Sequence, residues 1–285
     1  MLDLRQGRRP PVHTLVDVSG IPELTALEVR DVELFVGAAV PLSQIIHSPL
    51  ALQHARSLVE ACDLIGGPQV RNVATLGGNV AHALPAADGA IALLALDAYV
   101  MVASLDPNPN AEAKTPFVVG ALAPQSAEAL TTNPTRNVII TRMPLLDLYI
   151  GPGKTGLKPG QLLVGFCLPL AGNGQGSAFT RAMRAQGVAL PVLNLAVGLK
   201  RERDTIADLR IAIGPAGPLP LRAHAAETAL RGRPLTAETM AEAEAALLSE
   251  THFRTSPQRA TAAYRQHLAG KLLAETVYKA WERTG

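Results

Sequence analysis

The spacing of apolar positions changes several times along the chain, and each change marks an element or a connection. Two short apolar segments, Thr14 to Val18 and Glu33 to Val36, flank a turn-rich stretch around Gly20, Pro22 and Asp31. Ser48 before Pro49 reads as a helix start, because proline is pre-organised for the first helical position. Leu52, Ala55, Leu58, Val59 and Cys62 then recur at mostly three- and four-residue steps, which predicts an amphipathic helix to about Leu64. Residues 65–89 lose that period and carry five glycines and two prolines with few charges. Residues 91–103 are almost continuously apolar and read as a short helix entering a buried strand, and residues 104–115 as an exposed loop.

Farther along, Asn137 to Thr141 and Leu162 to Leu168 are strand candidates, the second closed by Pro169. A Gly/Asn-rich linker at Gly172 to Gly176 is the expected boundary between two domains, 1–171 and 176–285. The second begins with two strands, about Leu193 to Leu199 and Asp208 to Ile213. Helices near 221–231 and 236–248 follow, then a long final helix opening at Ser256-Pro257 with Ala263, Leu268, Leu272 and Val277 among its apolar positions. Lys200 to Asp204, with interspersed signs, reads as a solvated hairpin turn. The pattern is that of an α+β fold with helices following a small antiparallel sheet.

Composition narrows the function classes. Hydrophobic residues make up 48% of the 285, but aromatics only 4%, so the cores are built from Ala, Val, Leu and Ile. A formal charge of +2 gives no strong field for nucleic acid or an acidic membrane surface. The longest apolar runs, such as Ala90 to Leu96, are far too short to span a bilayer. Early basic residues (Arg5, Arg8, Arg9) are followed by Pro10, Pro11 and His13 instead of an apolar stretch, so no secretory signal is read and a cytoplasmic location is expected. The two cysteines, Cys62 and Cys167, cannot supply four thiolates to an iron–sulfur cluster or a structural zinc, and Cys62 on its apolar stripe reads as a core residue.

The chemistry-bearing segment runs from Pro68 to Ala81. Gly77-Gly78, flanked by Thr75 and Asn79, allows a tight loop whose N–H groups can converge on an anion such as a pyrophosphate, with a hydroxyl and an amide added to the same oxygens. A Gly-Gly pair by itself is weak evidence for binding, and a hairpin turn between two strands is the simpler account of it. No GxGxxG fingerprint is present, and Gly153-Lys154-Thr155 lacks the upstream glycine of a phosphate-binding Walker loop, since that position is Leu148. His82 has no evident nucleophile or metal partner nearby, and Arg71 reads as an anchor of the loop.

Four ordered stretches resemble the FAD-binding medium subunits of the molybdenum hydroxylases, a family that includes carbon monoxide dehydrogenase and xanthine dehydrogenase. They are Leu15-Val-Asp-Val-Ser-Gly-Ile-Pro-Glu-Leu24 with Val36-Gly-Ala-Ala-Val-Pro-Leu42; Val70-Arg-Asn-Val-Ala-Thr-Leu-Gly-Gly-Asn79 with Pro85-Ala-Ala-Asp88; Leu157-Lys-Pro-Gly-Gln-Leu-Leu163 up to Pro169; and Gly214-Pro-Ala-Gly-Pro-Leu-Pro-Leu-Arg-Ala223 with Arg259-Ala-Thr-Ala-Ala-Tyr-Arg265. The resemblance implies an α+β flavin domain of the vanillyl-alcohol-oxidase type followed by a smaller α+β domain. It also implies FAD as cofactor, with Thr75, Gly77, Gly78 and Asn79 at the pyrophosphate, Asp88 on the cofactor and Leu163 near the flavin ring. From the residues alone, Asp88 reads as a solvated loop residue, and Leu163 is equally a plain core leucine. The resemblance assigns no catalytic residue or metal ligand to this chain.

By the same resemblance the chain is an electron-transfer subunit. Its partners are a molybdopterin-binding large subunit and a small subunit with two [2Fe–2S] clusters, assembled as a dimer of heterotrimers, with NAD, oxygen or a quinone as acceptor. Two departures stand out. Family members carry a segment before the Leu15 stretch that adds its own Gly-Gly loop, whereas here no Gly-Gly pair precedes Gly66-Gly67, so an N-terminally shortened flavin domain is expected. Arg181 stands where the family commonly has a lysine near the ring, keeping the charge in a planar guanidinium. The alternative is a flavin-free structural or assembly paralogue, or a mis-started gene product.

Overall fold

The computed structural model describes residues 14–105, 138–183, 190–257 and 259–285. Residues 1–13, Asn137 and the 104–115 loop beyond Leu105 lie outside the described residues. The apolar segment Thr14 to Val18 is coil, with Leu15 and Val16 exposed. A single turn, α1 (Pro22–Thr25), leads into the hairpin β1 (Leu27–Arg30) and β2 (Glu33–Gly37), which reverses at Asp31 with positive φ. Strand β2 buries Leu34 and Val36 on one face and Phe35 on the other.

The helix expected over 48–64 is two helices, α2 (Leu42–Ile46) preceding them as a separate short turn. Ser48 caps α3 (Pro49–His54) by accepting the Ala51 N–H, but the chain breaks at Ala55 before α4 (Arg56–Asp63). Tertiary bonds decide the break: the Ser57 N–H donates to Ser177 Oγ and Glu60 accepts the Phe179 N–H, both on a distant strand. Short helices α5 (Pro68–Arg71) and α6 (Leu76–Ala81) occupy the glycine-rich stretch. Helix α7 (Asp88–Ala95) follows, and all eight of its residues are buried, as an apolar helix enclosed on every side must be.

Strands β3 (Tyr99–Leu105), β4 (Val138–Pro144) and, after the small β5 (Tyr149–Gly151)/β6 (Lys154–Thr155) pair, β7 (Gln161–Pro169) complete an antiparallel sheet of order β1-β2-β7-β3-β4. Gly165 of β7 faces the Phe35 ring, where a Cβ would sit 2.6 Å from a ring carbon, so the strand crossing depends on glycine there. A bulge opposite Met101/Val102 lets Leu163, Phe166 and Leu168 of β7 all join the main core.

The second sheet, β11-β10-β9-β8, is antiparallel and consists of β8 (Gln175–Ala182), β9 (Leu193–Glu202), β10 (Thr205–Gly214) and β11 (Leu221–Arg222). The sequence reading missed β8 and β11 as strands, while the β9–β10 reversal at Arg203 falls on the expected hairpin turn. Helices α8 (His224–Leu230), α9 (Ala237–Glu250) and α10 (Ala262–Glu282) cover one face of this sheet. Thr236 and Thr239 form a capping box on α9. Helix α10 opens at Thr261, which accepts the Tyr264 N–H, and not at Ser256-Pro257, because Ser256 is engaged in a backbone pair with Ala260. The opposite face of the sheet packs on α4 and α7 of the first lobe, so Phe179, Ala196 and Ala212 belong to the first lobe's core. Gly198 lies against the Ala95 carbonyl, at 2.5 Å from where a Cβ would stand. Helix α7 is thus clamped between the two sheets, with its N-terminus at the junction of the lobes.

Candidate functional site

At that junction a cleft of about 1090 Å³ opens, at the upper end of the size range of ligand pockets. One wall belongs to the first lobe and runs from Ala74 to Asp88; the other comes from the second lobe, around Pro215 to Pro218 and His252 to Arg265.

The first wall is built from a helix start. Thr75 takes extended backbone geometry, pairs with Pro41 and caps α6 by accepting the Gly78 N–H at 3.1 Å. Gly77 is buried against Ala38, whose carbonyl oxygen would lie 2.5 Å from an added Cβ; only glycine allows this approach. Arg71 anchors the approach to the turn, donating to the Asp63 and Gly66 carbonyls at 2.8 and 3.0 Å, as expected of it. Gly77-Gly78 is therefore the first turn of a helix and not a hairpin. The expected convergence of free N–H groups on an anion is corrected by the geometry. The Leu76 N–H donates to the Val40 carbonyl and the Gly77 N–H to the Ala38 carbonyl, the Gly78 N–H is taken by Thr75 Oγ1, and the Asn79 N–H goes to the Thr75 carbonyl. A helix start docked on β2's continuation consumes its own donors. What faces the cleft is the exposed Gly78 backbone, the Thr75 side and Asn79. Asn79 Oδ1 accepts the Gly89 N–H at 3.1 Å and joins α6 to α7, and its NH2 makes no hydrogen bond among the described residues.

Asp88, at the start of α7, is not solvated. It is 4% exposed, with Oδ2 accepting from Arg181 Nη1 at 2.6 Å and Oδ1 from Asn194 Nδ2 at 2.6 Å. Burial pushes its carboxyl above the usual range, opposed by the Arg181 charge and the Asn194 hydrogen bond. Of the six candidate residues, Thr75, Gly78, Asn79 and Asp88 meet at the cleft, while Gly77 lies beneath its wall and Leu163 is in the sheet core outside the lining. His82 lines the cleft, and no cluster of metal-ligating side chains occurs among the described residues.

The second wall is cationic: Arg254, Arg259 and Arg265 line it together with His252. Arg265 is 2% exposed and donates from Nη1 to the Arg254 carbonyl at 2.9 Å. Burial first, then Arg259 and Arg254, holds its guanidinium below its ordinary value. The sequence reading included Arg259 and Arg265 in a family stretch but gave them no role, and it did not single out Arg254, Asn194 or His252. An arginine on a helix gives no sign that a remote turn will bury it.

A dinucleotide cofactor brings two phosphate charges, which provides a fit test. Among the described residues, Asp88 is the only carboxylate on the cleft lining, against Arg181, Arg254, Arg259 and Arg265. Two of these, Arg181 and Arg265, hold a buried Nε atom that has no hydrogen-bond partner among the described residues. Cleft size, excess positive charge and orphaned guanidinium donors fit a diphosphate-bearing cofactor.

Comparison with known proteins agrees with that chemistry. Residues 1–130 match the family model described as the FAD binding domain in molybdopterin dehydrogenase, and residues 177–280 the CO dehydrogenase flavoprotein C-terminal domain. The chain is 30% identical over 274 residues to the nicotine 6-hydroxylase medium subunit of Paenarthrobacter nicotinovorans, covering 95% of this chain and 83% of that one. It is 26% identical to the xanthine dehydrogenase FAD-binding subunit of Escherichia coli O157:H7, over 95% of this chain and 82% of the relative. Among solved structures, a carbon monoxide dehydrogenase from Hydrogenophaga pseudoflava superposes with a TM-score of 0.77 at 25% identity, over 94% of this chain and 82% of that one.

Proposed function

This chain belongs to the family of FAD-binding medium subunits of the molybdenum hydroxylases, and from that premise we propose that it is the electron-transfer subunit of such a complex, holding its cofactor in the cleft between the lobes. FAD is the cofactor and the chain is an oxidoreductase flavoprotein subunit. The observation that carries the reading is the cleft itself: a cavity of about 1090 Å³ lined, among the described residues, by one carboxylate and four arginines, two of which have a buried Nε without a partner. When bound, FAD supplies the redox chemistry, and the protein supplies position and electrostatics.

The residue roles follow from the wall geometry. Thr75 holds the first turn of α6 closed, so that Gly78 brings bare backbone to the cleft and Asn79 offers an amide donor; with Gly77 packed beneath, these four form the proposed pyrophosphate wall. Asp88, with Arg181 and Asn194, fixes the start of α7 at the cleft floor and places a negative charge where cofactor hydroxyls can donate. Leu163 is proposed to stiffen the sheet behind the ring. We place the domain boundary at the 172–176 linker, giving 1–171 and 176–285.

In the proposed assembly a molybdopterin-binding large subunit hydroxylates the substrate and a small subunit relays electrons through [2Fe–2S] clusters. This chain passes them on to an acceptor, within a cytoplasmic dimer of heterotrimers. Among the described residues no helix is long and apolar enough to cross a membrane. The test is an absorption titration of the purified chain with FAD. One bound equivalent with flavin bands near roughly 370 and 450 nm is expected. Absence of titratable binding would favour the flavin-free reading.

A further inference from the structure

Among the described residues, most buried or half-buried arginines have a carboxylate. Arg181 is paired with Asp88 at 2.6 Å, Arg222 with Asp97 at 2.7 Å and with Glu227, and Arg283 with Glu60 at 2.5 Å. Arg265 breaks the pattern. It is 2% exposed, lines the cleft, leaves Nε without a partner, and has no ion pair among the described residues. Its neighbours on that wall add to the charge: Arg254 and Arg259 line the same stretch, and its guanidinium donates from Nη1 to the Arg254 carbonyl at 2.9 Å. Burying a cation without a counter-ion costs several kcal/mol in general, and the cost is removed when an anion enters beside it.

We infer that Arg265, with Arg254 and Arg259, forms an anion site on the second-lobe wall that takes the phosphoryl oxygens of a nucleotide. The planar guanidinium fork matches two oxygens of one phosphoryl group, which an ammonium does not. The surrounding cleft is far larger than an isolated anion needs, and across it stand the hydroxyl and amide of Thr75 and Asn79, which the function proposed above gives to the opposite side of the same diphosphate. The site therefore receives the charged part of a larger ligand. That this ligand is FAD rests on the function proposed above; the alternative source of the same chemistry is a second nucleotide bound beside it.

The experiment is calorimetric titration of the full-length, flavin-free chain with inorganic pyrophosphate, for wild type, Arg265→Lys and Arg254→Gln. Arg254 is exposed, so its variant keeps the test open if the buried substitution fails to fold. Wild type is expected to bind, more weakly as salt rises, and each variant to bind about tenfold more weakly. Wild type that takes up no pyrophosphate, or variants that match it, overturn the inference. The titration is repeated on FAD-loaded chain. Pyrophosphate excluded by FAD, with the FAD affinity of the variants lowered by a similar factor, assigns the site to the cofactor's own diphosphate. Pyrophosphate still binding beside FAD, and weakened in the variants, assigns it to a second nucleotide. A chain that takes pyrophosphate but not FAD keeps the anion site and refutes the flavin reading. One that takes FAD with variants indistinguishable from wild type does the reverse.

Discussion

The two walls of the cleft solve opposite electrostatic problems. On the first, the charges and the helix-start N–H groups are settled internally: the α6 start donates to Val40, Ala38 and Thr75, and Asp88 neutralises Arg181 while also accepting from Asn194. On the second, Arg265 is buried, as the Arg181 side chain is, but faces other arginines. A buried cation with a partner has its desolvation offset within the fold, whereas one without a partner carries that cost uncompensated, which is the basis for the anion site proposed at Arg265. The same residue type thus carries two functions, and only the neighbourhood separates them.

The most direct way to break the contrast is to turn Arg181 into a second Arg265. Asp88→Ala leaves the Arg181 guanidinium buried without its carboxylate and orphans Asn194 Nδ2 on one side, and should cost about 3–5 kcal/mol in urea unfolding. A loss below about 1 kcal/mol would mean that the pair does not hold the lobes together. Next in size is Gly77→Ala, whose Cβ would meet Ala38 backbone and side chain at 2.5 and 2.6 Å. A cost of about 2–3 kcal/mol is expected, while Gly78→Ala, facing Thr75 Oγ1 at 3.2 Å, should cost much less. Equal effects at the two glycines would contradict the buried-against-exposed assignment.

Glu60 extends the paired class to a pH test. Burial raises its carboxyl, but Arg283, the Phe179 N–H and Lys279 outweigh it, so the net position is below the ordinary value. The folded state therefore binds this proton less readily than the unfolded chain. The stabilisation is present above the unfolded pKa and is lost as pH falls through the lower folded one. Glu60→Gln should cost about 1–2 kcal/mol near pH 7, with the gap from wild type closing below about pH 4. A gap that stays constant to acid pH would remove the carboxylate from the account. The smallest effect is expected at the unpaired arginine: Arg265→Gln should stay within about 1 kcal/mol of wild type in anion-free buffer, because no counter-ion is lost.

Much of the fold was legible where local signals agree with tertiary context. Ser48-Pro49 starts a helix and the 91–103 apolar run becomes α7 and β3. The run broken at Ala55 was not legible, because the break is decided by bonds to Ser177 and Phe179 more than a hundred residues away. Strand β8 was missed for a related reason: Gln175-Gly-Ser-Ala-Phe-Thr-Arg-Ala has little strand character until β9 pairs with it. At the site, Gly77-Gly78 read as a tight loop or a hairpin turn, and the fold makes it the first turn of α6 with Gly77 packed against Ala38. Which N–H groups remain free, and which arginine ends up buried, depend on surfaces brought together only by the fold, so periodicity and motif spacing carry no record of them.

The central claim is that one cofactor touches both walls. Hydrogen–deuterium exchange of the full chain with and without FAD tests this most directly. The account predicts slowed exchange at Leu76–His82 of the first wall and at 259–265 of the second, with the β1–β2 hairpin unchanged. Protection confined to the first wall, or lying outside the cleft, would contradict it.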